Sequence, residues 1–129
     1  MKLILLVLSA SLLASPRAPQ THVVEMRMED GKYRFEPAEV KVKQGDKVQF
    51  VLASGGPHNI AFDAAKIPDA AEPALSKILA DRIQPLAGPI LAKDGAAYTI
   101  TISGVPAGRY PFFCMPHMAL AMNGVLVVE

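Results

Sequence analysis

Cysteine is nearly absent from this chain: Cys114 is the only one among 129 residues. A single thiol cannot form an internal disulfide bond. In an exported protein, such a thiol pairs with another chain, reacts, or is held by a metal ion. What Cys114 does is therefore the main question that the sequence raises.

The chain has no large excess of positive or negative charge, which limits the kinds of partner that it could bind. The chain carries 13 basic and 12 acidic side chains, for a formal net charge of +1. Loss of residues 1–18 would remove Lys2 and Arg17 and leave 11 basic against 12 acidic side chains. Neither balance indicates a surface for nucleic acid or for an anionic membrane. The sequence also lacks glycine-rich phosphate loops, internal repeats and low-complexity tracts.

A long apolar run occurs at the N-terminus, from Leu3 to Ala14, after the basic Lys2 and before small residues and proline. This layout is typical of a secretory signal peptide. As a helix the run would span about 18 Å, well short of a bilayer core of about 30 Å, so cleavage is favoured over a membrane anchor. We therefore expect residues 1–18 to be a signal peptide, although its boundary is poorly marked, and the protein to be exported to the periplasm of a Gram-negative bacterium.

The remaining pattern predicts a single all-β domain over residues 19–129. A chain of this length buries one core and is too short for two ordinary domains. Alternating apolar and polar residues bounded by turn signals predict strands at 22–28, 38–53 with a turn at 44–46, 97–103, 108–114 and 124–129. Many short strands of this kind favour an antiparallel sandwich or barrel.

The segment from Asp63 to Asp94 interrupts the β pattern. Within it, Leu75, Ile78, Leu79 and Arg82 share one helical face, and Pro73 stands at a first-turn position. We expect a short amphipathic helix at about 72–82, inserted across one side of the sandwich.

Cys114 lies in the segment "YPFFCMPHMALAM", three residues before His117 and eight before Met122. A thiolate, an imidazole and a thioether form a soft to borderline donor set, which suits copper better than Mg²⁺ or Ca²⁺. A trigonal copper site needs a second imidazole, from His22 or His58. His58 is favoured because "SGGPHNIAF" is a turn that leads into a strand and can present its ring to a neighbouring loop.

The segments "FEPAEVKVKQGDKVQFV", "PHNIAFD" and "GRYPFFCMPHMALAMNGVLVVE" resemble the plastocyanin and pseudoazurin branch of the cupredoxins, the small blue copper proteins. The resemblance implies a Greek-key β-sandwich with one type 1 copper per chain that shuttles single electrons between redox partner proteins. It implies no enzyme activity. The ligand roles fall on His58, Cys114, His117 and Met122, and Asn59 would tie the two ligand-bearing loops together.

Several further expectations follow for the ligand loop. Met115, Met118 and Leu120 belong to an apolar rim that we expect to dock redox partners, with His117 as the exit for the electron. Pro116 has no N–H to donate to the Cys114 sulfur, and hydrogen bonding to that sulfur affects the reduction potential.

Plant plastocyanins have acidic patches and a Tyr before the ligand Cys, where this chain has Phe113. A periplasmic bacterial partner is therefore favoured over an acid-guided photosynthetic one, and a monomer is expected.

Other interpretations remain open at this point. A copper carrier without an electron-transfer role would account for the clustered methionines. A cysteine hydrolase would need a base, an oxyanion site and a cleft that the sequence does not indicate. His22, Met26 and Met28 have strand spacing that suggests a second Cu(I) site, although core methionines and an exposed histidine are the simpler interpretation.

Overall fold

The computed structural model describes Ser11 and residues 16–129. The predicted signal peptide, residues 1–18, lies outside the described residues apart from Ser11 and residues 16–18. Among the residues described, no helix is both long enough and apolar enough to cross a bilayer.

In the described part of the chain, eight strands form two four-stranded sheets, which confirms the predicted all-β sandwich. One sheet has the order β2-β1-β4-β6 and the other the order β3-β8-β7-β5. The β1–β4 and β3–β8 pairs are parallel and the other pairs are antiparallel, so the sheets are mixed and not purely antiparallel as expected. The strands are β1 (Thr21–Glu29), β2 (Lys32–Glu36), β3 (Glu39–Val42), β4 (Lys47–Leu52), β5 (Ala61–Phe62), β6 (Ala97–Thr101), β7 (Gly108–Phe113) and β8 (Asn123–Val128).

The core lies between the sheets, because alternate residues of each strand point inward. In β4 these are Val48, Phe50 and Leu52, all buried. Phe112 of β7 is packed edge-on against Phe50, with 5.7 Å between ring centroids. Burying one such side chain stabilises the fold by roughly 1.5–3 kcal/mol, so this cluster fixes how the two sheets face each other.

Strand pairing brings the two candidate loops to the same end of the sandwich. In the β7–β8 ladder Phe113 lies opposite Asn123, and in the β5–β7 ladder it lies opposite Ala61. Cys114 follows β7 directly, Met122 precedes β8, and His58 lies just before β5. The three residues therefore meet at one end although 56 positions separate His58 from Cys114.

The predicted helix exists but is shorter than expected. Helix α1 spans Glu72–Ile78, with Pro73 in its first turn and Leu75 buried. It ends before Arg82, because Leu79 leaves helical geometry and Asp81 has a left-handed φ of 52°. Arg82 therefore does not belong to the helix, and its guanidinium instead donates to the Ser76 carbonyl at 3.2 Å.

Strand β2 is absent from the strands predicted by the sequence pattern. It is joined to β1 by a tight turn at Asp30 and Gly31, both with positive φ. An Asp-Gly pair between alternating segments is a strong hairpin signal, so this strand was recognisable in principle. Its Phe35 is buried, and its Tyr33 reaches the candidate site.

Candidate metal centre

Three donor side chains converge at the end of the sandwich. The donor atoms of His58, Cys114 and His117 all lie within 4.8 Å of one another. The Cys114 Sγ atom is 3.7 Å from His58 Nδ1 and 3.5 Å from His117 Nδ1. All three residues are buried. The sequence favoured His58 over His22 as the second imidazole, and the structure brings His58 to the other two.

Hydrogen bonding fixes the orientation of the His58 ring. Its Nε2–H donates to the backbone carbonyl of Ser54 at 2.7 Å. This bond leaves Nδ1 as the nitrogen that faces the Cys114 sulfur. Metal-binding histidines commonly hold their second nitrogen in this way, because the bond fixes both tautomer and ring angle.

Asn59 joins three segments around the site. Its Oδ1 accepts from the Met115 N–H at 2.9 Å, and its Nδ2 donates to the Gly88 carbonyl at 3.1 Å. The residue is 2% exposed, and its bond to Gly88 is buried. Asn59 thus links the loop of His58 to the loop of Cys114, and both to the inserted segment.

Tyr33 stacks on His117, a contact that the sequence analysis missed. The ring centroids are 3.8 Å apart and the planes are 18° from parallel. Tyr33 lies on β2, far from either ligand segment in the sequence, and no motif marks it. Only correct placement of the β1–β2 hairpin would have brought this ring to the site.

The methionines of the ligand loop differ in how far they are buried. Met122 is 0% exposed, and its carbonyl accepts from the Cys114 N–H at 3.0 Å. Met118 and Leu120 are exposed, and Met115 is half-buried. Pro116 is exposed at the start of a short 3₁₀ segment, Met115–Leu120, that is kinked at His117. Met122 is therefore the fully buried methionine of the loop and is bonded to Cys114 through its backbone, whereas Met118 lies at the surface.

Burial controls the protonation of the cluster. It raises the pKa of the Cys114 thiol, although hydrogen bonds from the backbone of Asn59 and His117 oppose the shift. Burial, together with the neighbouring His58, lowers the pKa of His117. The metal-free cluster therefore favours a thiol and a neutral His117 imidazole. A metal ion that binds here must displace the thiol proton.

The donor set fits copper. Two imidazole nitrogens and a thiolate match the softer transition metals, and this combination is typical of trigonal copper sites. A cysteine nucleophile would need the opposite environment, because activation requires a lowered thiol pKa and access for a substrate. Cys114 is fully buried and its pKa is raised.

The alternative cluster of His22, Met26 and Met28 does not form. The His22 Nε2 atom lies 2.9 Å from Asp46 Oδ2, at the opposite end of the sandwich from His58. Met26 is buried in the core, whereas Met28 is exposed. The simpler interpretation, core methionines and an exposed histidine, is therefore correct for Met26 alone, because Met28 is exposed and His22 is half-buried against Asp46.

Comparisons with known proteins agree with the geometry. The family model described as copper binding proteins, plastocyanin/azurin family, matches residues 22–129. A plastocyanin of Nostoc punctiforme is 34% identical over 128 residues, covering 98% of this chain and 87% of that protein. Oxidised plastocyanin from Dryopteris crassirhizoma superposes with a TM-score of 0.65 at 30% identity, covering 83% of this chain and 99% of that one. Pseudoazurin from Hyphomicrobium denitrificans gives 0.60 at 25% identity, covering 84% and 75%.

Proposed function

The chain belongs to the plastocyanin/azurin family of copper-binding proteins, and we propose that it is an exported carrier of single electrons. In this proposal one type 1 copper is held by His58, Cys114, His117 and Met122. The observation that carries the proposal is the buried convergence of two imidazole nitrogens and one sulfur within 4.8 Å. Met122, which is wholly buried and bonded to Cys114 through its backbone, would supply the thioether.

Copper bound here supplies a one-electron Cu(I)/Cu(II) couple. The protein's part is to keep the donors in place. The His58 ring is anchored to the Ser54 carbonyl, and Asn59 ties the Cys114 loop to the His58 loop. Donors held in place by these hydrogen bonds should move little, which limits the reorganisation that accompanies each electron transfer.

His117 is the donor nearest to solvent and is the proposed route for the electron. It is 8% exposed, whereas His58 and Cys114 are 0% exposed. Around it stand the exposed side chains of Met118 and Leu120, with Met115 half-buried. This apolar rim would dock redox partners through small and short-lived interfaces, typically below about 1,200 Å².

The proposal also includes the location of the protein, its oligomeric state and its partners. Residues 1–18 would direct export and be removed, and residues 19–129 would form one copper domain that acts as a monomer. The partners would be redox proteins of the periplasm. Nothing in this function requires a catalytic residue, and we assign none.

Titration of the exported form with Cu(II) tests the proposal. We expect an intense blue colour that saturates at one copper per chain, bleaches with ascorbate and returns on reoxidation. Cys114→Ser should abolish the colour. Met122→Leu and Met118→Leu form a matched pair, and only the first should change the visible spectrum, because Met122 is buried and Met118 is exposed.

Tight copper binding without an intense colour would contradict an electron-transfer role. It would favour the copper carrier, whose bound Cu(I) would be labile and colourless. An equal spectral change from both methionine variants would instead contradict the assignment of Met122 as the axial donor.

A further inference from the structure

We propose that the Ser54 side chain is a positioning residue for the metal centre, acting on His58 through the Ser54 carbonyl. This inference rests on the proposed function and extends it by one residue beyond the contact that orients the His58 ring. It is carried by a pair of hydrogen bonds that the Ser54 hydroxyl makes to strand β1.

The parallel ladder between β1 and β4 ends at the pair Met26 and Leu52. Beyond it, the backbone N–H groups of Ala53 and Ser54 both donate to the Met26 carbonyl, at 2.8 and 3.3 Å. Both bonds have the same acceptor, the Met26 carbonyl oxygen. Neither bond involves the peptide that carries the Ser54 carbonyl.

The Ser54 hydroxyl continues the pairing where the ladder stops. It accepts from the Met28 N–H at 3.1 Å and donates to the Met28 carbonyl at 3.0 Å. A hydroxyl that bonds both backbone groups of one residue fixes the loop in two directions. It therefore fixes the peptide whose carbonyl lies 2.7 Å from His58 Nε2.

The next residue shows how closely this loop lies against β1. Gly55 has a φ of +70°, and a Cβ atom there would stand 2.3 Å from the Met28 Cβ. Only glycine allows this approach. The route from strand to metal site is thus continuous, from Met28 through Ser54 to the His58 ring and its Nδ1 atom, which faces the Cys114 sulfur.

The test compares Ser54→Ala with Ser54→Thr, which keeps a hydroxyl. The control is Ser103→Ala, which makes the same chemical change at an exposed residue. Ser103 follows Ile102, whose N–H pairs with the Asp46 carbonyl at the far end of β4. Each protein is measured for Cu(II) affinity by chelator competition, for reduction potential by voltammetry, and for stability by urea unfolding without copper.

We expect Ser54→Ala to bind copper about tenfold more weakly, because loss of an outer contact to a metal-binding histidine has this order of effect. Its potential should shift from that of the wild type. Ser54→Thr should restore both values, and Ser103→Ala should change neither. A Ser54→Ala protein that is less stable but keeps wild-type affinity and potential would overturn the proposal, since the hydroxyl would then serve only the fold.

A measurement without copper separates this inference from the proposed function. In ¹⁵N-histidine NMR spectra of the copper-free protein, the Nε2–H proton of His58 should be visible in the wild type and in Ser103→Ala. It should exchange faster in Ser54→Ala. If the wild type forms no blue site, the proposed function fails, and this signal still decides the role of Ser54. Equal exchange in all three proteins would overturn that role.

Discussion

At the scale of single residues, the backbone N–H groups near the Cys114 sulfur affect how well its thiolate is stabilised. The N–H of Met115 is taken by Asn59, and bonds from the backbone of Asn59 and His117 favour the thiolate. Pro116 has no N–H to give. It is exposed at the surface of the loop, so replacing it should not disturb the core.

We therefore expect Pro116→Ala to raise the reduction potential of the copper site. An added N–H near the sulfur would stabilise the more negative thiolate that accompanies Cu(I), and this favours the reduced state. Voltammetry of the copper-loaded protein gives the potential directly. Pro106→Ala, at the other end of β7, should leave it unchanged. An unchanged or lowered potential in Pro116→Ala would contradict the argument.

Residues of the site differ in how far the sequence could predict them. Cys114 and His117 are three positions apart on one loop, so their proximity needs no knowledge of the fold. His58 could be chosen over His22 only through the turn that precedes a strand. Tyr33 could not be found at all, because its stack on His117 arises from a hairpin that the pattern analysis left out.

At the scale of elements, the inserted segment from Asp63 to Asp94 contains helix α1 and also forms hydrogen bonds with the His58 loop. Leu91 exchanges two backbone hydrogen bonds with His58, at 3.0 and 2.8 Å. The Gly88 N–H donates to the Ile60 carbonyl at 2.9 Å.

The alternation of apolar and polar residues predicted most of the long strands, since one face of each is buried. These short bridges join distant segments without a periodic pattern, so no sequence pattern predicts them.

The β7–β8 ladder depends on a glycine. Gly124 lies directly opposite Phe112, and a Cβ atom at position 124 would stand 2.4 Å from the Phe112 Cζ atom and 2.9 Å from the Ala38 carbonyl oxygen. We expect Gly124→Ala to lower the free energy of unfolding by about 1–3 kcal/mol, as overpacking of a core usually does. Urea unfolding of the copper-free protein measures this.

A double-mutant cycle identifies the cause. Phe112→Leu shortens the ring that the new methyl group would meet, so the double variant should lose less stability than the two single variants together. Strictly additive losses would show that the destabilisation of Gly124→Ala does not come from the Phe112 contact.

At the scale of the whole molecule, the sandwich has an apolar end with the metal centre and a charged end around Asp46. The Asp46 side chain is 0% exposed, and both of its oxygens accept from the Arg17 guanidinium at 2.8 Å. The backbone N–H groups of Gln20 and Lys43 also donate to it, at 3.0 and 3.1 Å. Arg17 falls within the predicted signal peptide, so the position of cleavage decides whether the exported protein keeps this contact.

The charged end should set the acid stability of the fold. The Arg17 guanidinium and the hydrogen bonds around it hold the pKa of Asp46 well below its usual range. In the unfolded chain that pKa is about 3.9, so the stabilisation is complete above this value and is lost as pH falls through it towards the folded pKa. We expect the free energy of unfolding of the copper-free chain that includes Arg17 to fall steadily below about pH 5.

Asp46→Asn should be less stable at pH 7 than the wild type, and its stability should depend less on pH. The exposed Asp94→Asn should follow the wild type. Parallel urea-unfolding curves for Asp46→Asn and wild type across pH 3 to 6 would show that other carboxylates control acid stability.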